Sequence, residues 1–286
     1  MNGVRCLAAF VFAVSGVCAG GAELEQARKL YNLTEFEKSL QVLRSIPDRD
    51  GSVSELMGMN YFMQGEYKKA AECFEKAVAH DPANSDYALW LGRAFGRRAE
   101  TSSVFTAPGY ASKTRQYFEK AVQLNPRNQE ALSDLFEYYL EAPGILGGGV
   151  DKAQALAANI AKVDAAEGHW CQARLADKRK DFAGVEDHLR RAVEASPQQI
   201  GRLIDLARFL AKQGRFQESD QSFERAEKIA PNSPRLLFAR ADVYIKNGRN
   251  LGTAKELLQR YLSSSLTPDD PPRSQAERLL RQVRGS

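Results

Sequence analysis

One apolar pattern recurs along this chain, and a unit carrying it cannot fold alone. Its clearest copy runs from Gly58 to Pro82, GMNYFMQGEYKKAAECFEKAVAHDP. Gly58 and Tyr61 share one helical face, and Gly65 offers the left-handed backbone that ends a helix. Tyr67 restarts the pattern. Ala70, Phe74 and Ala77 then recur at the spacing of a second helix, which Pro82 stops. Small residues at 58, 70 and 77 let the two helices approach, and Tyr61, Tyr67 and Phe74 fill the space between. Such a pair leaves an apolar face open, so it requires copies stacked beside it.

The copies are present. Tyr117-Phe118-x-x-Ala121 closes at Pro126, Leu189-x-x-Ala192 at Pro197, and Phe223-x-x-Ala226 at Pro231. The turn recurs as Gly65-Glu66-Tyr67, Lys180-Asp181-Phe182 and Gly214-Arg215-Phe216. These positions resemble the tetratricopeptide repeat, a helix-turn-helix unit of about 34 residues. The match is fullest in 51–84, at Met57, Gly58, Tyr61, Ala70, Phe74, Ala77 and Pro82. The resemblance implies an all-α, right-handed solenoid over 20–272. About seven units are expected, at 20–50, 51–84, 85–128, 129–165, 166–199, 200–233 and 234–266. A charged amphipathic helix over 273–286 closes it, with Ala276, Leu279, Leu280 and Val283 on one side.

Composition agrees with a soluble chain: 286 residues, 43% hydrophobic, 27% charged, net charge +4. No dense Lys/Arg block points to nucleic acid. Arg5, the apolar run Leu7–Val14 and Val17-Cys18-Ala19 read as a secretory signal over 1–19, cleaved after Ala19. Val17 stands where a lipoprotein motif wants a small residue before Cys18, so lipid anchoring ranks second. No later stretch has the length and apolarity of a membrane span. The expected location is the periplasm or outside the cell. An Ala-Pro-Gly…Gly-Gly-Gly turn like that of 142–149 occurs in exported bacterial repeat proteins, which supports a bacterial origin. Cys73 and Cys171 fall in helices three units apart, too far for a disulfide in a solenoid.

Units three and four depart from the template. Unit three is about ten residues longer than the standard one, and the excess is assigned to a turn within Glu100–Ser112. Unit four carries a long turn over Ala142–Val150, with Asp151 expected to cap the helix beginning at Lys152. Unit seven has a one-residue slip at Arg249–Thr253.

Motifs of chemistry are missing. His80, His169 and His188 lie apart in sequence without metal-ligand spacing, and no HExxH, GxSxG or CxxC occurs. Asp48-x-Asp50-Gly51 lacks the distal ligands of a calcium loop. Gly144–Gly149 lacks the strand and the Lys-Ser/Thr of a phosphate loop, since Lys152 precedes Ala153. No catalysis, cofactor or metal is expected.

Two surfaces remain as candidate sites. By resemblance, first-helix residues line a concave groove: Met59, Phe62 and Met63, then Arg93 and Arg97, then Trp170, Arg174 and Lys178, then Arg208 and Lys212. This column of cations, interrupted by Glu137 and Glu141, would suit an extended or acidic segment of another protein. The alternative reading is a solvated helix face. The Asn-containing carboxylate clamp of chaperone-binding relatives is not matched. The second surface is the pair of long turns, with Phe105, Tyr110, Gly144, Gly147, Gly148 and Gly149. Equivalent turns stack on one edge, so their apolar tips either pack on each other or, with Trp170, form a pocket for a carbohydrate or small molecule. The first function expected is a non-catalytic envelope scaffold; the second is a carbohydrate- or small-molecule-binding accessory protein.

Overall fold

The computed structural model describes residues 15–47 and 49–284. The apolar run Leu7–Val14, on which the expected signal rests, lies outside them. The fold is all-helical among the described residues. Seven antiparallel pairs follow one another: α1 (Ser15–Asn32) with α2 (Phe36–Ser45), α3 (Gly51–Met63) with α4 (Tyr67–His80), and α5 (Ser85–Thr101) with α6 (Ala107–Leu124). Then come α7 (Gln129–Glu141) with α8 (Val150–Val163), α9 (Ala165–Lys178) with α10 (Phe182–Ala195), α11 (Ile200–Lys212) with α12 (Phe216–Ile229), and α13 (Pro234–Lys246) with α14 (Leu251–Ser263). A final helix, α15 (Arg273–Arg284), packs on α14.

Local chemistry starts and stops these helices. Asp50, Asn84, Asn128, Asp164 and Asp181 each accept a backbone N–H from the first turn of the helix they precede. Five tight turns place a left-handed residue after the first helix: Thr34, Gly65, Lys180, Gly214 and Gly248. The slip in unit seven is absorbed by a second left-handed residue, Asn250, directly before α14.

Each helix packs chiefly on its neighbours in the chain. Successive first helices also touch one another (α1 on α3, α3 on α5, α5 on α7, α11 on α13). They therefore form the inner, concave layer, and the second helices the outer one. The recurring apolar positions fill the space between the layers: Phe74, Phe118, Leu189, Phe223 and Tyr261 are buried, as are Ala77, Ala121, Ala192 and Ala226. Cys73 and Cys171 are free, buried packing residues.

The long units differ from the expectation. In unit three the excess lengthens the helices: α5 has 17 residues and α6 has 18, against 13 and 14 in α3 and α4. Only 102–106 forms the turn. Pro108 sits in the first turn of α6, where its missing N–H costs nothing and its fixed φ suits a helix. In unit four, 144–146 forms a 3-10 turn, and Gly149, not Asp151, precedes α8. Asp151 lies inside the first turn, where its charge complements the helix dipole.

Candidate binding groove

The inner layer of α3, α5 and α7 borders a cavity of about 760 Å³. Phe62, Met63 and Trp90 supply an apolar floor. Arg93, Arg97 and Glu141 stand among its charged groups. Phe62 meets Trp90 edge-on at 5.5 Å, and Trp90 stacks on the buried Phe74 at 5.7 Å. The floor is thus fixed by the core beneath it. Trp90 is absent from the residues assigned to the groove from sequence. It lies three residues before Arg93 on α5, next to Leu89, which is buried.

The cation column exists, but its charges are answered within the protein. Arg93 Nε donates to Asp134 Oδ2 at 2.6 Å, Arg93 pairs with Glu130 at 2.8 Å, and its guanidinium lies over Trp90. Arg97 pairs with Glu100 and donates to the Tyr67 hydroxyl at 3.1 Å. Arg174 grips Glu137 with two hydrogen bonds, 2.9 and 2.8 Å, and reaches Glu141 at 3.2 Å. Lys178 donates to Glu141 at 2.8 Å. The hydrogen bond from Lys178 holds the Glu141 carboxyl below its ordinary range. Burial pushes the Asp134 carboxyl up, opposed by Arg93. The two glutamates that interrupt the column are therefore its counter-ions, offered from the preceding unit.

The last units are different. Arg208 and Lys212 face a second cavity of about 580 Å³ together with Phe238, Asp242 and Lys246. Lys212 and Lys246 keep about two-thirds of their side-chain surface, 66% and 70%. Their carboxylate neighbours are Asp177, 3.7 Å from Lys212, and Asp242, 2.7 Å from Lys246. Three cations here face one carboxylate among the charged residues of the lining. Met59 borders a third cavity, of about 470 Å³, with Tyr31, Glu55 and Asp86.

The long-turn residues do not converge as a pocket. Phe105 is 92% exposed at the tip of its turn, as is Ile145 at 95%. Tyr110 belongs to α6, where it stacks on Phe95 at 6.1 Å beneath Arg98. Trp170 packs on Phe136 and the core around it. The glycines are structural. Gly147 is left-handed beside Arg115, and a Cβ at Gly148 would fall 1.9 Å from the Ala142 carbonyl oxygen. Gly149 N–H donates to Tyr139 O at 2.8 Å. The Tyr138 hydroxyl links the start of α6 to the turn of unit four, 3.0 Å from Ala111 O and 2.8 Å from Leu146 O. The tips stay apart in solvent. Pro143 and Leu146 instead wall the large groove cavity, which joins the two candidate surfaces at one place.

Two of the histidines, apart in sequence, meet in the fold. His169 and His188 face each other across α9 and α10, with their Nδ1 atoms 3.3 Å apart. The tight turn at Lys180 folds the two helices back and brings them together. Among the described residues no group of three or more His, Cys, Asp or Glu is placed to hold a metal ion.

The fold and this concave face define a helical-repeat solenoid with a ligand-sized groove along its first helices. Residues 54–84 and 204–271 match tetratricopeptide repeat family models, and the chain carries repeats of this type there. It resembles the crystal structure of a thermophilic repeat protein of this type from Thermus thermophilus: TM-score 0.54, 18% identity, 67% of this chain and 98% of that one. It also resembles a tetratricopeptide repeat protein from Parabacteroides merdae: TM-score 0.58, 13% identity, 93% of this chain and 99% of that one. No curated protein matches in sequence. At these identities the likeness concerns the fold. Repeats of this family generally serve as protein-interaction scaffolds and are typically non-catalytic. No helix of the described residues is long and apolar enough to cross a membrane.

Proposed function

We propose that the protein is a non-catalytic scaffold of a bacterial cell envelope, and that it holds an extended segment of another protein along the groove. The observation that carries this reading is the apolar floor of Phe62, Met63 and Trp90 beside a charged rim, in a cavity of about 760 Å³. An extended chain would lay alternate side chains into such a cleft and keep its backbone along the charged edge. Arg93, Arg174 and Lys178 serve mainly to lock unit to unit, because each holds a carboxylate of a neighbouring unit, while Arg97 pairs with Glu100 on its own helix and reaches the Tyr67 hydroxyl of the unit before. The acid-binding part of the groove is then Arg208, Lys212 and Lys246, which have the weaker or more exposed pairings. Export rests on the leader pattern of 1–19. A carbohydrate or small-molecule pocket at the long turns is not retained, because Phe105, Tyr110 and Trp170 point to three different surroundings.

The test is an affinity pull-down from the native envelope fraction, read by mass spectrometry, with three forms of the protein. The wild type is compared with Phe62→Ala and with a doubly reversed Arg208→Glu, Lys212→Glu variant. A partner recovered by wild type and lost from both variants supports the reading. Equal recovery by all three forms overturns it. N-terminal sequencing of the envelope-associated protein checks the leader, with Gly20 expected as the first residue.

A further inference from the structure

Between α14 and α15 the chain runs through Ser264–Pro272, SSLTPDDPP. Both ends of this strap are fixed. Leu266 is buried in the last core cluster, the Tyr261 hydroxyl donates to Pro271 O, and Arg273 donates to Leu262 O at 2.7 Å. Thr267 closes the tip on itself, its N–H and Oγ1 donating to Asp270 Oδ2 at 2.9 and 3.0 Å. The tip stands across the solenoid from the first units. Pro268 borders the large groove cavity with Phe62, Met63 and Trp90. Thr267, Pro268 and Asp269 border the cavity of Tyr31, Glu55 and Asp86. Leu266–Arg273 also faces Thr34, Phe36 and Met63 across a space of about 220 Å³. The strap thus roofs the groove where its floor is aromatic.

Two features of this arrangement point to a ligand class. Pro268 stands at the second position of a tight turn that the Asp270 N–H closes on Thr267 O at 3.1 Å, a place its fixed φ suits, so a segment of this shape comes to an aromatic-lined groove with little ordering cost. The chain has placed such a segment over its own aromatic floor. The charges, however, oppose it. Asp269 shares its cavity with Glu55, Asp86 and Glu130, against the single cation Arg93, which Glu130 already holds. It also raises the Tyr31 phenol, second to burial. Burial first, and then Asp86, push the Glu55 carboxyl up, while Arg28 opposes them. An acidic tip over acidic neighbours is held by shape and not by charge, so a basic segment of the same shape would displace it.

We propose that the floor of Phe62, Met63 and Trp90 recognises a basic segment of a partner protein that carries the same proline turn, and that the strap tip Thr267–Asp269 occupies its place until the partner displaces it. This rests on the groove reading given above and adds the partner's chemistry and an internal competitor. When a site is open only part of the time, apparent affinity falls by the open fraction.

The test titrates the full chain with a synthetic Leu-Thr-Pro-Lys-Lys-Pro-Pro peptide, followed by calorimetry. Its acidic counterpart Leu-Thr-Pro-Asp-Asp-Pro-Pro serves as control. Three forms are compared: wild type, a strap variant Pro268→Gly, Asp269→Gly, and the floor variant Phe62→Ala. The basic peptide is expected to bind the strap variant about tenfold more tightly than wild type, as a site open roughly a tenth of the time requires. The floor variant should lose binding while keeping a cooperative melt. Equal binding to wild type and strap variant overturns the competitor and leaves the floor standing. Binding of the acidic peptide as tight as the basic one overturns the charge assignment. If neither peptide binds any form, proline recognition is wrong, and the envelope pull-down alone then judges the groove.

Discussion

At the scale of single residues, packing and protonation decide different things. Gly58 is fixed by its neighbour: a Cβ there would fall 2.6 Å from Phe74 Cε1, and Phe74 is fully buried. The ring has nowhere to go, so Gly58→Ala should cost about 1–3 kcal/mol, as overpacking in a close-packed core does; a urea melt unchanged in midpoint would contradict this. Both residues were legible in the sequence, because spacing alone aligned them. The His169–His188 pair was not, since nothing in a linear reading brings positions 19 apart into contact. Burial first, then His188 and Arg191, lower the His169 imidazole from its usual 6.5, against the pull of Asp187 and Glu194. The unfolded chain therefore takes up this proton first as pH falls. The contribution to stability is whole above 6.5 and is lost as pH drops through the depressed folded value. Melting temperatures measured between pH about 7 and about 5, above the range where exposed carboxylates titrate, should fall for wild type and flatten in His169→Gln. Equal slopes would count against the pair.

Among elements, the first helices are joined by polar clamps as well as by apolar contact. Glu167 on α9 accepts from Ser133 on α7 at 2.8 Å and pairs with Arg202 on α11, so one carboxylate ties three units. The Glu167 and Arg202 side chains are only 17% and 13% exposed. Glu167→Ala would leave a guanidinium short of its partner in a poorly hydrated place, at a cost of about 3–5 kcal/mol. Removing Arg202 as well should recover part of that loss, and a double-mutant cycle by chemical denaturation measures it. Additive losses would show that the pair does not couple. The same logic explains why the cation column misled as a binding stripe. Arg174 is visible in sequence as a groove cation, but Glu137 becomes its partner only when unit four is laid against unit five. The long third unit shows the complementary case. Extra residues after α5 read as a turn because they contain Pro108-Gly109, yet proline in the first turn of a helix extends α6.

Across the whole molecule, stacking of local units explains most of the architecture. Each pair buries its face on the next, so the repeat period, the glycine turns and the closing prolines specify a solenoid without any long-range pairing. That much the sequence determined alone: an all-helical repeat protein, its most regular unit at Gly58–Pro82, and inner first helices as the face to inspect. The tertiary structure decided what that face is. It tied Arg93, Arg174 and Lys178 of the cation column into inter-unit ion pairs, supplied Trp90 to the floor, left Phe105 in solvent, and laid Pro268 across from Phe62 and Met63. The physical reason is distance along the chain. Periodicity reports which neighbours share a helix face, whereas the charge on a groove and the segment that roofs it depend on how successive units rotate and bring remote residues across the lumen.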